Sequence, residues 1–361
     1  MLYSFPSASA MDLSARSAVV IDRQSGRVLY AKNAEAKMPM ASTTKIMTAI
    51  CALENGNLSD IVKVHPSAVG VEGSSMYLAH GEEITLENLV YGLMLASGND
   101  AAVAIAMHMS GSVDEFAKLM NQTANKIGAK NTSFKNPNGL DAEGHYTTAH
   151  DLALITRYGL ENVNGFADIV KTYEKKMPWQ GRDYDRVLQN HNKLLKLYEG
   201  CDGVKTGFTK KSGRCLVSSA THDNLGVIAV TLNAPNDWDD HTNMLDNAFQ
   251  NYSAKRIITK GEYVATVSVK GGLDDKIVLV AESDLYATIK NGETADVKLS
   301  YNIPRELTAP VGFEENAGQM TVVANGFSQS INVVTKTYVP EKNDTYIDSA
   351  RKIILNWIRI I

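Results

Sequence analysis

The feature that most constrains the fold is a change of texture near Lys255. Before it, strand-like runs alternate with segments of helical periodicity. After it, from about 257 to 339, only short β-type runs occur, among them Tyr263–Val269, Lys276–Val280, Leu285–Ile289, Met320–Val323 and Ile331–Val334. Turn pairs separate them, including Gly271-Gly272, Asn291-Gly292 and Asn325-Gly326. Such spacing suits a small all-β domain of about 80 residues. That stretch contains no His and no Cys, so it is expected to carry no chemistry. The total of 361 residues fits two domains at roughly 150 residues each. The expected organisation is 1–10, a residual signal-like segment; 11–255, a catalytic domain; 256–340, the all-β domain; and 341–361, an amphipathic helix.

The two ends bear on location. Ala8-Ser9-Ala10 has the small-x-small form of a signal-peptide cleavage site, although the apolar part before it is short and lacks a charged start. Either it is the tail of a secretion signal or it is an unstructured start. At the other end, Ile353, Ile354, Trp357, Ile360 and Ile361 share one face of a helix, and Arg351, Lys352, Asn356 and Arg359 fill the rest. This pattern fits a helix lying on a membrane surface, with docking on the β domain as the alternative. It follows an apparent linker, Val339-Pro340-Glu341-Lys342-Asn343-Asp344. No apolar run approaches the length of a membrane-spanning helix. The formal net charge of −4 offers no basic field for nucleic acid, and three Cys are too few for a disulfide scaffold.

Within the first part, Ala18–Ile21 and Val28–Ala31 read as a hairpin around Gln24-Ser25-Gly26. Helical periodicity begins at Ser42 and places Ile46, Met47, Ile50 and Cys51 on one side, with Cys51 in the core. Thr85 caps a helix through Leu95. Ser112-x-x-Glu115 is a capping box for a helix closed by Gly128, and Thr148-x-x-Asp151 opens one closed by Gly159. Strands return at Gly203–Gly207, Cys215–Ala220 and Leu225–Leu232, before a last helix at about Asp239–Tyr252.

Three short motifs could carry chemistry. Ser42-Thr43-Thr44-Lys45 places a hydroxyl and an amine one helical turn apart, with Ser42 in the first turn where backbone N–H groups are free. A desolvated Lys45 near other cations could serve as a base. Ser97-Gly98-Asn99 falls between two helical segments. Lys205-Thr206-Gly207 ends a strand, where Gly207 admits a ligand backbone and Lys205 and Thr206 suit a carboxylate. Taken singly, each also has a bland reading: a capping Ser with a solvated Lys, a helix-breaking turn, a strand end.

Their order and setting resemble the penicillin-recognising serine enzymes. With Ser25-Gly26-Arg27-Val28-Leu29-Tyr30, Ser97–Ala102, Asn136-Pro137-Asn138-Gly139-Leu140 and Asp202–Thr209, the chain resembles the low-molecular-mass penicillin-binding proteins, the serine-type D-alanyl-D-alanine carboxypeptidases, over nearly its whole length. The resemblance implies an α/β (α+β) fold: an antiparallel sheet with flanking helices, a helical lobe, then the small all-β domain. It implies Ser42 as nucleophile, Lys45 as its base, Ser97 as proton relay to the leaving amine, and Asn99 on the substrate amide. Lys205 would supply positive potential and Thr206 would bind the terminal carboxylate. The backbone N–H groups of Ser42 and Phe208, beside Gly207, would form the oxyanion hole. The implied partners are a peptidoglycan stem peptide ending in D-Ala-D-Ala, β-lactam antibiotics and, through the tail, the outer face of the bacterial cytoplasmic membrane. No cofactor, metal or nucleic acid is implied.

Two departures stand out. Asn190-His191-Asn192 has a His where some members have Arg, and Trp238-Asp239-Asp240-His241 lacks an Arg that some members use for the substrate carboxylate. Carboxylate recognition would then rest on Lys205 and Thr206 or on another group. His145 could approach the cleft or serve in capping and packing. Cys201 and Cys215 flank Lys-Thr-Gly on strands expected to pair, so a disulfide and two buried thiols are both open. A serine β-lactamase shares the three motifs, but no Glu sits in a loop like the one those enzymes use for deacylation. A catalytically weak wall-binding or lactam-sensing protein is the third reading.

Overall fold

The computed structural model describes residues 11–294 and 296–342. The signal-like segment 1–10 and the amphipathic tail, including Ile353 to Ile361, lie outside the described residues. The chain divides into two compact units, one through Asn251 and one from Tyr252.

The first unit opens with the expected hairpin, β1 (Ser17–Asp22) and β2 (Val28–Lys32), followed by a 3-10 turn at Ala41–Thr44 and α1 (Lys45–Asn55). Next come β3 (Ile61–Lys63), β4 (Glu83–Thr85), α2 (Leu86–Met94), α3 (Asn99–Ser110) and α4 (Val113–Ile127). They are followed by α5 (Ala149–Asn162), α6 (Phe166–Lys171), β5 (Glu174–Met177), β6 (Arg186–Gln189) and α7 (Leu194–Leu197). The unit closes with β7 (Cys201–Thr209), β8 (Gly213–His222), β9 (Leu225–Leu232) and α8 (Asp237–Asn251). The main sheet runs β2-β1-β9-β8-β7, with every pair antiparallel. Strands β1 and β9 are buried along their whole length, in keeping with their mainly apolar sequences, and α5 and α8 pack against β9. Strand β7 lies at the sheet's edge and packs on the 3-10 turn. Helices α1 to α4 form the helical lobe around a core that includes Met47, Ile50, Leu89, Leu93 and Phe116.

The caps fall where the side chains dictate. Thr85, Ser112 and Thr148 each accept a hydrogen bond from the backbone N–H three residues on, and Gly128 ends α4 in the left-handed conformation. Gly159 does not end its helix. Helix α5 continues to Asn162, and a Cβ at Gly159 would stand 3.0 Å from the Phe166 ring and 3.1 Å from Ile50. Its small size serves close packing rather than chain reversal.

The second unit is all β: β10 (Tyr252–Ile258), β11 (Tyr263–Lys270), β12 (Lys276–Ala281), β13 (Leu285–Lys290), β14 (Val297–Asn302), β15 (Glu306–Thr308), β16 (Asn316–Ala324) and β17 (Phe327–Thr335). Strands β10 and β13 pair with each other, and the remainder form a sheet in the order β14-β16-β17-β12-β11-β15. Its core holds Leu279, Met320, Val322 and Val333. The apparent linker is partly built into this unit. Val339 bridges Val311 and is buried, Leu273 N–H donates to the Pro340 carbonyl at 2.9 Å, and Lys342 N–H donates to Gly271 at 2.9 Å.

Of the two readings for Cys201 and Cys215, the structure has the thiols: Cys51, Cys201 and Cys215 are all free. Strands β7 and β8 do pair, but Cys201 faces Ala220 while Cys215 faces Gly207. Cys201 and Gly207 are six residues apart on one strand, about 20 Å, far beyond disulfide reach. Burial pushes the Cys201 and Cys215 thiols up to about 11 and the Cys51 thiol up to about 12, so none is poised as a thiolate.

Hairpin β5–β6 escaped the sequence pattern because Glu174-Lys175-Lys176 carries no apolar alternation. It is anchored by an ion pair: Arg186 donates through Nη1 to Glu82 Oε1 at 2.7 Å and through Nη2 to Oε2 at 3.1 Å, both side chains being 3% exposed. Removing one partner strands the other charge. Glu82→Ala is therefore expected to destabilise the first unit by about 3–5 kcal/mol, read as a lower urea midpoint, whereas Glu82→Ala with Arg186→Met should recover much of the loss.

Candidate active site

The sequence from Pro39 to Lys45 is shaped to expose one hydroxyl and bury one amine. Ala41 adopts φ +47°, a left-handed conformation costly for a residue with a Cβ, and the chain then enters the 3-10 turn. Thr43 ties the turn down, its Oγ1 donating to the Met40 carbonyl at 2.6 Å. Ser42 lies at the start of this turn, and its N–H makes no backbone hydrogen bond among the described residues. Lys45 opens α1 with its side chain running back beneath Ser42. It is fully buried.

Lys45 Nζ donates to Ser42 Oγ at 2.8 Å, to Asn99 Oδ1 at 2.6 Å and to the Asn138 carbonyl at 2.6 Å. Three acceptors match its three donors when it is charged, yet burial and then the nearby Lys205 charge drive its pKa well below the usual lysine value, with Asp100 opposing. Lys205, on β7, is likewise buried and is brought down to about 7 by desolvation. Its Nζ donates to the Thr206 carbonyl at 3.0 Å.

Ser42, Ser97, Thr206, Gly207 and Phe208 line one cavity of about 370 Å³, together with Ser74, His191 and Arg214. The three motifs thus converge. Ser97 sits in the α2–α3 junction at φ +57°, and its hydroxyl has no partner among the described residues. Lys205-Thr206-Gly207 lies inside β7 rather than at its end, because the strand continues to Thr209. Gly207 has a steric role: a Cβ there would lie 3.0 Å from the backbone nitrogens of Ser42 and Thr43 and 3.1 Å from the Met40 carbonyl. Only a glycine lets the edge strand approach the nucleophile's turn so closely. Asn99 lies at the start of α3, beside the cavity-lining Ser97. It is buried, its Oδ1 receives Lys45, and its Nδ2 donates to the Glu72 carbonyl at 2.5 Å.

Several residues of the site were not identified individually from sequence. Asp100 accepts from Ser75 Oγ at 2.6 Å, Met76 N at 3.1 Å and Leu78 N at 3.0 Å, pinning the loop that carries Ser74 to the start of α3. Asn138 supplies its carbonyl to Lys45, Pro137 accepts from Thr48 Oγ1 at 2.6 Å, and Gly139 at φ +89° presses on the Ala41 carbonyl where a Cβ would intrude to 1.9 Å. The Asn-Pro-Asn-Gly run is a turn signal, but nothing in it says which backbone oxygen will meet an amine. His145 packs behind the site rather than in it. Its Nδ1 accepts from Lys135 N–H at 3.0 Å, which leaves Nε2 to donate to Thr44 Oγ1 at 2.8 Å, and burial lowers it to about 4. His241 is also buried between Ser218 and Thr231, lowered to about 3.

Comparison with known proteins gives the same reading. Residues 5–236 match the family model described as D-alanyl-D-alanine carboxypeptidase, and residues 252–341 match the model for the C-terminal domain of penicillin-binding protein 5. The chain is 37% identical to D-alanyl-D-alanine carboxypeptidase DacF of Bacillus subtilis over 341 residues, covering 91% of this chain and 85% of that protein. It is 32% identical to DacA of Escherichia coli over 347 residues, covering 92% and 85%. Penicillin binding protein 5 from Haemophilus influenzae aligns with a TM-score of 0.68 at 29% identity, covering 92% of this chain and 100% of that one. DacD from Francisella tularensis aligns with a TM-score of 0.65 at 26% identity, covering 94% and 96%. A hydroxyl held against a buried amine, beside a glycine-cleared edge strand, thus occurs in a chain that belongs to the D-alanyl-D-alanine carboxypeptidase family of serine-type hydrolases.

Proposed function

We propose that this protein removes the terminal D-Ala from peptidoglycan stem peptides ending in D-Ala-D-Ala, through an acyl-enzyme on Ser42. The observation that supports this most is the 2.8 Å contact between Lys45 Nζ and Ser42 Oγ in a setting that favours the neutral amine. Lys45 takes the Ser42 proton as Oγ attacks the carbonyl of the penultimate D-Ala. The oxyanion forms against the N–H groups of Ser42 and Phe208, which the closeness of Gly207 to the turn makes compatible. Ser97, with an unengaged hydroxyl on the cavity, passes a proton to the departing D-Ala nitrogen. Asn99 acts by holding Lys45 in line. Lys205 and Thr206 present positive charge and a hydroxyl to the substrate's carboxylate end. Water then hydrolyses the acyl-enzyme, with Lys45 again the base.

The same acyl donor geometry in β-lactams makes them inhibitors. No glutamate lines the cavity among the described residues, so the glutamate-activated water that deacylates many serine β-lactamases has no counterpart there. This argues against a β-lactamase. The enzyme acts on the outer face of the bacterial cytoplasmic membrane, held by the basic, isoleucine-rich tail beyond residue 342, with the all-β unit as a stalk.

Wild type should release D-Ala from diacetyl-Lys-D-Ala-D-Ala and form a long-lived adduct with fluorescent penicillin, and Ser42→Ala should lose both. Rapid lactam turnover without D-Ala release would overturn the reading in favour of a β-lactamase.

Because Lys45 works as a neutral base with a lowered pKa, acylation should rise with pH as its proton is lost and level off well below the usual lysine value of 10.5. Stopped-flow penicillin acylation from pH 5 to 11 checks this. A rate that climbs only near pH 10.5 would rule out the depressed amine.

A chain ending at 342 should no longer sediment with phosphatidylglycerol-containing vesicles while keeping its activity on the free peptide. Unchanged sedimentation would overturn the anchor.

A further inference from the structure

The same cavity carries a guanidinium that no motif accounts for. Arg214, the second residue of β8, lies opposite Phe208 of β7, so the two side chains stand on one face of the sheet beside Thr206. The Arg214 side chain is 43% exposed. Its Nε donates to Asp237 Oδ1 at 2.9 Å and its Nη2 lies 2.8 Å from the same oxygen, while the Asp237 carboxylate is 3% exposed. The Trp238 ring flanks the guanidinium, with 5.7 Å between its centre and the Arg214 carbon. Nη1 has no partner among the described residues.

Resting on the carboxypeptidase reading above, we propose that Arg214 is the residue that fixes the substrate's terminal carboxylate, with Asp237 and Trp238 as its positioning residues. Three observations favour it over the other cations of the site. Lys45 is committed to Ser42, Asn99 and Asn138. Lys205 is buried and already donates to a backbone carbonyl, so it contributes potential more than direct contact. Lys193 lines the cavity but no side chain aims its flexible ammonium. Arg214 alone combines exposure to the cavity with an orientation fixed by a buried partner. A planar fork with one edge tied down presents its remaining donors as a pair, the geometry a carboxylate takes.

The Asp237 charge does not cancel this. Asp237 also borders the cavity, but its carboxylate is 3% exposed, engaged by Arg214 and placed in the first turn of α8, where the helix dipole partly offsets it, while the guanidinium is 43% exposed. The sequence has no arginine in Trp238-Asp239-Asp240-His241, at the start of this helix. The positive group is presented to that place from the neighbouring strand.

The test uses two acyl donors with the full-length protein: benzoyl-D-alanyl-thioglycolic acid and its methyl ester, which differ only in the free carboxylate. Wild type should prefer the acid. Arg214→Gln should lose about 10- to 100-fold in kcat/KM on the acid and little on the ester, erasing the preference. Arg214→Lys should retain part of it, and Asp237→Asn should weaken it without abolishing ester turnover. Ester turnover also reports folding. An Arg214→Gln enzyme that keeps the wild-type preference, or that loses both substrates equally, overturns the proposal. Failure of wild type to turn over either thioester, with no penicillin adduct on Ser42, would instead overturn the carboxypeptidase reading itself.

Discussion

The structure of the site depends on a lysine amine buried where a charge is expensive. An unpaired ammonium in such a place would cost several kcal/mol. Lys45 avoids this by meeting three acceptors from three separate parts of the chain: its own helix turn at Ser42, the start of α3 at Asn99, and the 136–140 turn at Asn138. That single requirement fixes where α1, α3 and the turn must come together. Asn99 is held in turn by the Glu72 carbonyl, and Asp100 beside it gathers the backbone of the adjoining loop. The network therefore does two jobs. It makes the burial tolerable, and it keeps the amine within reach of one hydroxyl.

Backbone strain and missing side chains do the rest. Ala41 and Ser97 both adopt positive φ; Ala41 directly precedes the nucleophile, and Ser97 lines its cavity. Each such residue stores of order 1–3 kcal/mol, which surrounding contacts must offset. Gly139 presses on the Ala41–Ser42 backbone and Gly207 on the backbone of Met40, Ser42 and Thr43, each without room for a Cβ. Two glycines let neighbouring backbone close in on the nucleophile's turn. Rigid placement of Ser42 thus comes from close backbone packing, while chemical reactivity comes from the buried lysine.

Much of this was legible in the sequence because it is local. The caps at Thr85, Ser112 and Thr148 and the mainly apolar run of β9 are decided by neighbours a few residues away. Ser42 and Lys45 were legible as a pair because one helical turn brings them together. What was not legible is long-range. Gly159 looked like a helix end because a glycine's signal is the same whether it reverses the chain or admits Phe166. Strand pairing did not reveal register, so Cys201 and Cys215 seemed candidates for a bond that six residues of offset forbid. The Asn138 carbonyl could not be assigned at all, since every residue has one and only the fold selects it.

Arg214 shows the same limit in a functional setting. Charged residues near the end of a strand are common and usually solvated, so nothing in Lys210-Lys211-Ser212-Gly213-Arg214 distinguishes the last from the first. The distinction arises only when β8 is in register with β7 and α8 returns Asp237 beneath the guanidinium. A motif search asks whether a given residue type stands at a given position. The chemistry asks only whether a forked donor reaches a carboxylate at the end of the cleft, and a strand can deliver one as well as a helix. Where a chain lacks a charged group its relatives carry, the replacement is best sought among neighbours in the fold, and the buried partner that aims it is the feature that separates it from the solvated charges around it.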